Sequence, residues 1–216
     1  NGWRIKVGAD SITTRALVAA DGRNSTIARL LGLLPRIEKE RVALQTHLPL
    51  PKDFGERVVL QFLPEGYSGQ APVGNNELNL CLVGKPKSIP ALRAWAEKQF
   101  GVSQQHNWRT ITPLRRAAIS PAHKNLFFVG DTARVVEPFT GEGIFYALRS
   151  GELAAKSLAE NRDDYASAHE KLYRGRLWIN RMARTAVLSP RFTSLLLRSG
   201  MMNARLLRVL TAKVVA

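Results

Sequence analysis

The stretch Phe127-Phe128-Val129-Gly130-Asp131-Thr132-Ala133-Arg134-Val135-Val136-Glu137-Pro138-Phe139-Thr140-Gly141-Glu142-Gly143-Ile144 decides how this chain is read. Its apolar start, Asn125 to Val129, reads as a short buried strand that breaks at Gly130-Asp131. Pro138 marks a loop, and Gly141-Glu142-Gly143 opens a helix running from about Gly141 to Ala159. Apolar packing alone does not need Gly-Asp followed by Pro and Gly-x-Gly. A ligand does: Gly130 admits close backbone approach, and Asp131 can accept a hydrogen bond from a sugar-like hydroxyl. The unpaired N–H groups at the helix start favour partial negative charge. Gly143, Ala147, Gly151 and Ala155 recur at i+4, a small-residue stripe suited to packing against a sheet or a cofactor.

A second segment has the same design. Leu17-Val18-Ala19-Ala20 is a buried strand ended by Asp21-Gly22-Arg23, and Asn24 or Ser25 can cap a short helix to Leu31. In α/β folds ligands collect at the carboxyl ends of such strands. Outward from these two points, Trp3 to Val7 alternates, Gly8-Ala9-Asp10 turns, and Ile12 to Ala20 is extended again, a hairpin or meander. Extended stretches follow near 42–48, 56–63, 69–74 and 78–84, then a helix over 88–100 and a strand over Trp108 to Ile119. Everything after Ala159 reads as helical. The order predicts an α+β layer inserted into an α/β nucleotide-binding domain. The expected divisions are 1–35, 36–118, 119–160 and a basic helical tail at 161–216.

Composition narrows the classes. With 216 residues, 45% hydrophobic and 23% charged, the chain can bury a core and is not disordered as a whole. The single cysteine, Cys81, excludes an intrachain disulfide framework and a zinc site built on several thiolates, and favours a reducing, cytoplasmic compartment. His47, His106, His123 and His169 lack metal-ligand spacing, so no metal is expected. Gly66-Tyr67-Ser68-Gly69-Gln70 misses the last glycine of a nucleophile elbow. Gly141-Glu142-Gly143 is no dinucleotide fingerprint, because Tyr146 stands in place of the third glycine and the motif lies far beyond its strand.

The two segments resemble the DG and GD motifs of class A flavoprotein monooxygenases and their relatives. The run from Pro138 to Gly151 most resembles the geranylgeranyl reductase branch. The resemblance covers roughly 1–160 and is strongest at 15–31 and 125–155. It implies the C-terminal part of a flavoprotein FAD-binding fold: a three-layer, partly parallel sheet, an antiparallel substrate layer and a helical tail. It assigns Asp131, with Gly130, to the FAD ribityl chain, and Pro138, Gly141, Glu142, Gly143 and Ile144 to the isoalloxazine. Asp21 and Gly22, with Arg23, fall near the pyrophosphate. The family's N-terminal G-x-G-x-x-G strand and helix do not occur in this sequence, so an upstream FAD-binding segment is expected to be missing, as a truncation or a separate chain. The reductases often carry Tyr-x-Trp-x-Phe-Pro in the substrate layer. Here Tyr67-Ser68-Gly69-Gln70-Ala71-Pro72 keeps Tyr67 and Pro72, with Gly69 and Ala71 in the aromatic places, leaving room for a bulky ring.

The function expected from the resemblance is an FAD-dependent oxidoreductase that delivers hydride from reduced flavin to a double bond of a hydrophobic or prenylated substrate, with NAD(P)H or another reductant as donor. A monooxygenase acting on a lipid or aromatic substrate is the alternative. No catalytic acid is assigned, although Tyr67 is a candidate. Net charge is +15, and residues 171–216 hold ten Lys or Arg and no acidic residue. That basic content also suits a non-catalytic binding module, but no nucleic-acid reading motif accompanies it. Apolar residues such as Phe192, Leu195, Leu196, Leu206 and Leu207 alternate with Arg184, Arg191, Arg198 and Arg205 at seven-residue spacing. This pattern predicts an interfacial helix on an anionic membrane surface.

Overall fold

The computed structural model describes residues 2–35, 41–103, 106–175, 177–189, 193 and 195. In chain order, the strands β1 (Trp3–Val7), β2 (Asp10–Thr14) and β3 (Leu17–Ala19) precede the short helix α1 (Thr26–Leu30). Next come β4 (Val42–Pro49), β5 (Val59–Leu63), β6 (Gly66–Pro72), β7 (Glu77–Gly84) and the helix α2 (Ile89–Phe100). The strands β8 (Arg109–Ile111), β9 (Ala122–His123) and β10 (Leu126–Phe128) follow. The chain then forms α3 (Gly143–Ala159), α4 (Tyr165–Tyr173) and α5 (Leu177–Leu188). It divides into two compact units, one made of Asn1–Glu38 with Arg115–Asn180, the other of Lys39–Leu114 with Arg181–Ala216.

In the first unit β1 and β2 form an antiparallel hairpin, with Gly8 at φ 62° in its turn. A separate sheet has the order β3-β10-β9, and its β3–β10 pair is parallel, with Leu17, Val18 and Ala19 opposite Leu126, Phe127 and Phe128. Ala19, Ala28, Leu126, Phe128 and Ala133 form the core beneath these strands. The helix α1 starts where Ser25, fully buried, caps it: its hydroxyl accepts from the Ala28 N–H at 2.9 Å. The segment α4, grouped with the basic tail in the sequence reading, belongs to this unit. Its Tyr165 is buried and donates to the Phe128 carbonyl at 2.7 Å, tying the helix to β10.

The second unit is a five-stranded antiparallel sheet of order β5-β6-β7-β4-β8. Period-two alternation puts Leu78, Leu80 and Leu82 of β7 and Leu44 and Leu48 of β4 on one face. There Leu44, Leu48, Leu80 and Leu82 pack with Leu92 and Ala96 of α2. Three extended stretches differ from the sequence reading, and the one expected near 56–63 begins only at Val59. The expected strand over 69–74 instead spans Gly66–Pro72, because Gly74, Asn75 and Asn76 all take positive φ and turn the chain into β7. The expected strand over 108–119 ends at Ile111. Pro113 has no N–H to offer a ladder, and Arg116 directs its hydrogen bonds elsewhere. Beyond 189 only Thr193 and Leu195 are described, so the expected amphipathic tail, including Arg191, Arg198 and Arg205, lies outside the described residues.

Candidate cofactor site

The parallel register of β3 and β10 brings both strand ends to the same edge, and the Val129 N–H continues the ladder to the Ala19 carbonyl at 3.0 Å. Asp21-Gly22-Arg23 therefore lies beside Gly130-Asp131-Thr132, although more than a hundred residues separate them in sequence. The Gly22 N–H donates to the Thr132 hydroxyl at 2.8 Å, and the Arg23 guanidinium meets the Asp131 carboxylate at 3.0 Å. Both partners of that pair remain partly exposed. Asp131 can thus accept from a ligand hydroxyl while its charge is oriented from behind.

Asp21 is placed differently. Its carboxylate accepts from the Ile27 N–H at 3.1 Å, across the first turn of α1. Burial pulls this carboxyl upward, but hydrogen bonds from the Ser25 hydroxyl and the Ile27 and Thr26 N–H groups outweigh it, holding the group below the ordinary carboxylate range. Asp21 thus organises the loop rather than presenting a free oxygen.

Two residues missed by the sequence reading join these loops. Arg116, only 3% exposed, donates to the carbonyl of Arg23 at 3.2 Å, to that of Thr132 at 2.6 Å, and to those of Asp131 and Ala117. One guanidinium therefore fixes the backbone of both loops. Burial lowers its pKa from the ordinary arginine value, and the nearby Asp131 charge opposes that shift. Ser150 of α3 accepts from the Gly130 N–H at 2.8 Å. Gly130 takes φ 56°, and a Cβ there would sit 3.0 Å from that of Ala147, so only glycine fits without displacement. No local pattern marks Arg116 or Ser150, because their partners are backbone groups distant in sequence.

The loop before α3 is fixed from the other side. Glu142, 5% exposed, accepts from the Tyr146 hydroxyl at 3.4 Å and from the Asn180 amide at 3.3 Å, and the Asn180 carbonyl oxygen accepts from the Glu137 N–H at 2.7 Å. Glu142 therefore points into the unit instead of towards a ligand. Gly141 takes φ 72°, and a Cβ at Gly141 or Gly143 would meet nothing within 4 Å. No side chain caps α3, and Ile144 in its first turn is 76% exposed. The loop thus offers bare backbone, uncapped N–H groups and an apolar side chain to open space, with the Asp131 carboxylate accessible nearby in the same unit. These residues fit a group that combines hydroxyls with a flat, electron-rich ring edge, as FAD does. On α3, Tyr146, Ser150, Ala154 and Ser157 are buried, while Ala147 and Ala155 of the small-residue stripe are exposed, with Ala147 close to Gly130.

In the second unit, Tyr67, Gly69 and Ala71 share the face of the sheet opposite α2, across from Val83, Cys81 and Asn79. Tyr67 is buried and its ring lies 6.5 Å from that of Phe62. A Cβ at Gly69 would touch only Leu60, at 3.5 Å, so this face is open there. Pro72, grouped with the other three in the sequence reading, points to the opposite face beside Leu78. Burial pushes the Cys81 thiol up to about 11, so it is an unreactive thiol on this face.

The fold is that of FAD-binding flavoproteins. It is shared with the flavin-dependent brominase Bmp2, with a TM-score of 0.72 and 18% identity, covering 97% of this chain and 61% of that one. In sequence the chain is 32% identical to a digeranylgeranylglycerophospholipid reductase of Methanosphaerula palustris, over 69% of this chain and 41% of the relative. It is 29% identical to a menaquinone reductase of Mycolicibacterium smegmatis, over 89% of this chain and 54% of the relative. In fold and sequence the chain is similar to FAD-dependent oxidoreductases. No protein-family model matches it. The chain spans about half the length of these curated relatives.

Proposed function

We propose that the protein is an FAD-dependent reductase of the geranylgeranyl reductase type, reducing a double bond of a hydrophobic or prenylated substrate with NAD(P)H or another reductant as donor. The observation that carries this reading is the meeting of the Gly22 and Gly130 loops at one edge, fixed by Arg116, in the same unit as the uncapped start of α3. FAD, when bound, supplies the hydride. The chain's own residues bind and orient. Asp131 holds ribityl hydroxyls, with Arg23 directing its carboxylate from 3.0 Å. The glycines at 141 and 143 allow the ring to lie against backbone, and the N–H groups of α3 favour negative charge on its edge. Ile144 supplies apolar contact.

The open face around Gly69 is the proposed substrate wall, bordered by Tyr67 and Ala71. Restoring a tryptophan there, Gly69→Trp, is expected to block substrate turnover and leave flavin bound. A cytoplasmic location with attachment to an anionic membrane is part of the same proposal, since it would bring a lipid substrate within reach. It is supported by Trp178 and Met182, exposed one turn apart on α5 among arginines. Among the described residues no helix is long and apolar enough to cross a membrane. Anaerobic reoxidation of reduced flavin by a prenylated quinone or lipid is the test. Reoxidation that depends on such a substrate supports the reductase, and incorporation of labelled oxygen into product would identify a monooxygenase instead.

A further inference from the structure

Asn180 uses both ends of its side-chain amide on one loop. Its Oδ1 accepts from the Glu137 N–H at 2.7 Å, and its Nδ2 donates to the Glu142 carboxylate at 3.3 Å. Glu137 and Glu142 stand immediately before and after Pro138-Phe139-Thr140-Gly141. A single planar group on α5 therefore ties both ends of the loop. The bonds inside the loop are local: the Thr140 hydroxyl donates to the Glu137 carbonyl at 2.8 Å, and the Gly141 N–H to the Pro138 carbonyl at 3.1 Å. Such bonds set the shape of a turn and travel with it. They do not set where it stands.

A tie from outside the loop does that, and Asn180 supplies one at each end. Glu137 and Glu142 are 7% and 5% exposed, so water replaces a lost amide poorly at either place. A displaced loop is the cheaper response. Glu142 is also the residue at which α3 starts, and no side chain caps that start. Moving Glu142 thus moves the free N–H groups of the first turn. Their effect on a nearby negative charge falls off within that turn, so a small displacement changes it measurably.

We infer that Asn180 is a positioning residue of the cofactor loop: it sets where the N–H groups of α3 stand against the flavin ring, and thereby how far reduced FAD is favoured over oxidised FAD. The inference rests on the proposed binding of FAD by the first unit. Asp131 governs how tightly FAD is held, and Asn180 which redox state is preferred. The test is the midpoint potential of FAD bound to the full-length protein at fixed pH, measured beside the dissociation constant of oxidised FAD. Asn180→Leu removes both bonds. Asn180→Asp keeps an acceptor for the Glu137 N–H but sets a carboxylate against Glu142. In each, the preference for reduced FAD is expected to fall at least about tenfold, a drop of about 30 mV for a two-electron couple. Oxidised FAD is expected to bind within about threefold of the parent. Asn180→Asp/Glu142→Gln exchanges acid and amide, so both bonds and the charge return, and the Tyr146 hydroxyl keeps an oxygen to donate to. This variant is expected to recover the parent potential, whereas a general loosening of the unit would deepen with a second buried substitution. Unchanged potentials in both single variants, or an exchanged variant that stays at the lowered value, overturn the inference. A parent that binds no FAD overturns the cofactor reading itself, and the inference with it.

Discussion

The two units reach order by opposite means. In the first, the three-residue strands β3 and β10 that carry the loops leave little ladder, and side chains tie backbone to backbone: Arg116 to Arg23 and Thr132, Ser150 to Gly130, Asn180 to Glu137. In the second, strands of up to eight residues carry the order through their ladders, and the core is alternating leucines against α2. The difference shows where each unit can vary. A loop that must hold a cofactor is over-determined by polar partners, so single residues there matter to more than one loop. On the sheet face opposite α2, Tyr67 and Val83 are buried while Gly69 borders open space, so the small residues there can shape a pocket without disturbing the leucine core.

The comparison is tested most severely at its two supports. Arg116→Ala removes the donor of several buried carbonyls, and chemical denaturation is expected to show a loss of about 3–5 kcal/mol. Arg116→Lys should recover only part of it, since an ammonium cannot span both loops. In the sheet unit Leu82→Ala should cost about 2–5 kcal/mol by cavity formation. If Arg116→Ala were nearly neutral and Leu82→Ala severe, the polar ties of the first unit would be incidental to its order.

A pH titration sharpens the same contrast. His169 is buried against Tyr165 and Tyr173, and its Nε2 has no hydrogen-bond partner among the described residues. Burial first, and the charge of Arg134 second, lower its pKa from 6.5 to about 4. The unfolded chain therefore binds a proton that the folded chain refuses. The contribution is complete above pH 6.5, falls as the pH drops towards 4, and levels off below that, a change on the order of 3 kcal/mol. His169→Phe should flatten this part of the stability profile, and an unaltered slope would remove His169 from the account. The smallest effect is expected at Ser25, where replacement by Ala removes one helix cap and about 1 kcal/mol in the same denaturation measurement.

Much of this was legible in the sequence for a physical reason. A strand that must stop at a ligand leaves Gly and Asp at its end, and a helix that must face one starts with glycine, so both loops and α3 could be read from local residues. Arg116, Ser150 and Asn180 were not legible, because they act on backbone groups far along the chain and leave no local pattern. Nor was the direction of Glu142, whose motif position suggested a ligand contact and whose carboxylate instead joins Tyr146 and Asn180. Pro72 was misplaced with Tyr67 because the side-chain period of two in β6 separates odd from even positions.

If the first unit binds FAD through Asp131, the dissociation constant of FAD from the full-length protein responds to that one side chain. Asp131→Ala is expected to weaken binding about 10- to 150-fold, the loss of one charge-assisted hydrogen bond, while Gly69→Trp in the sheet unit leaves the constant unchanged. A folded Asp131→Ala protein that holds FAD as tightly as the parent would contradict the account.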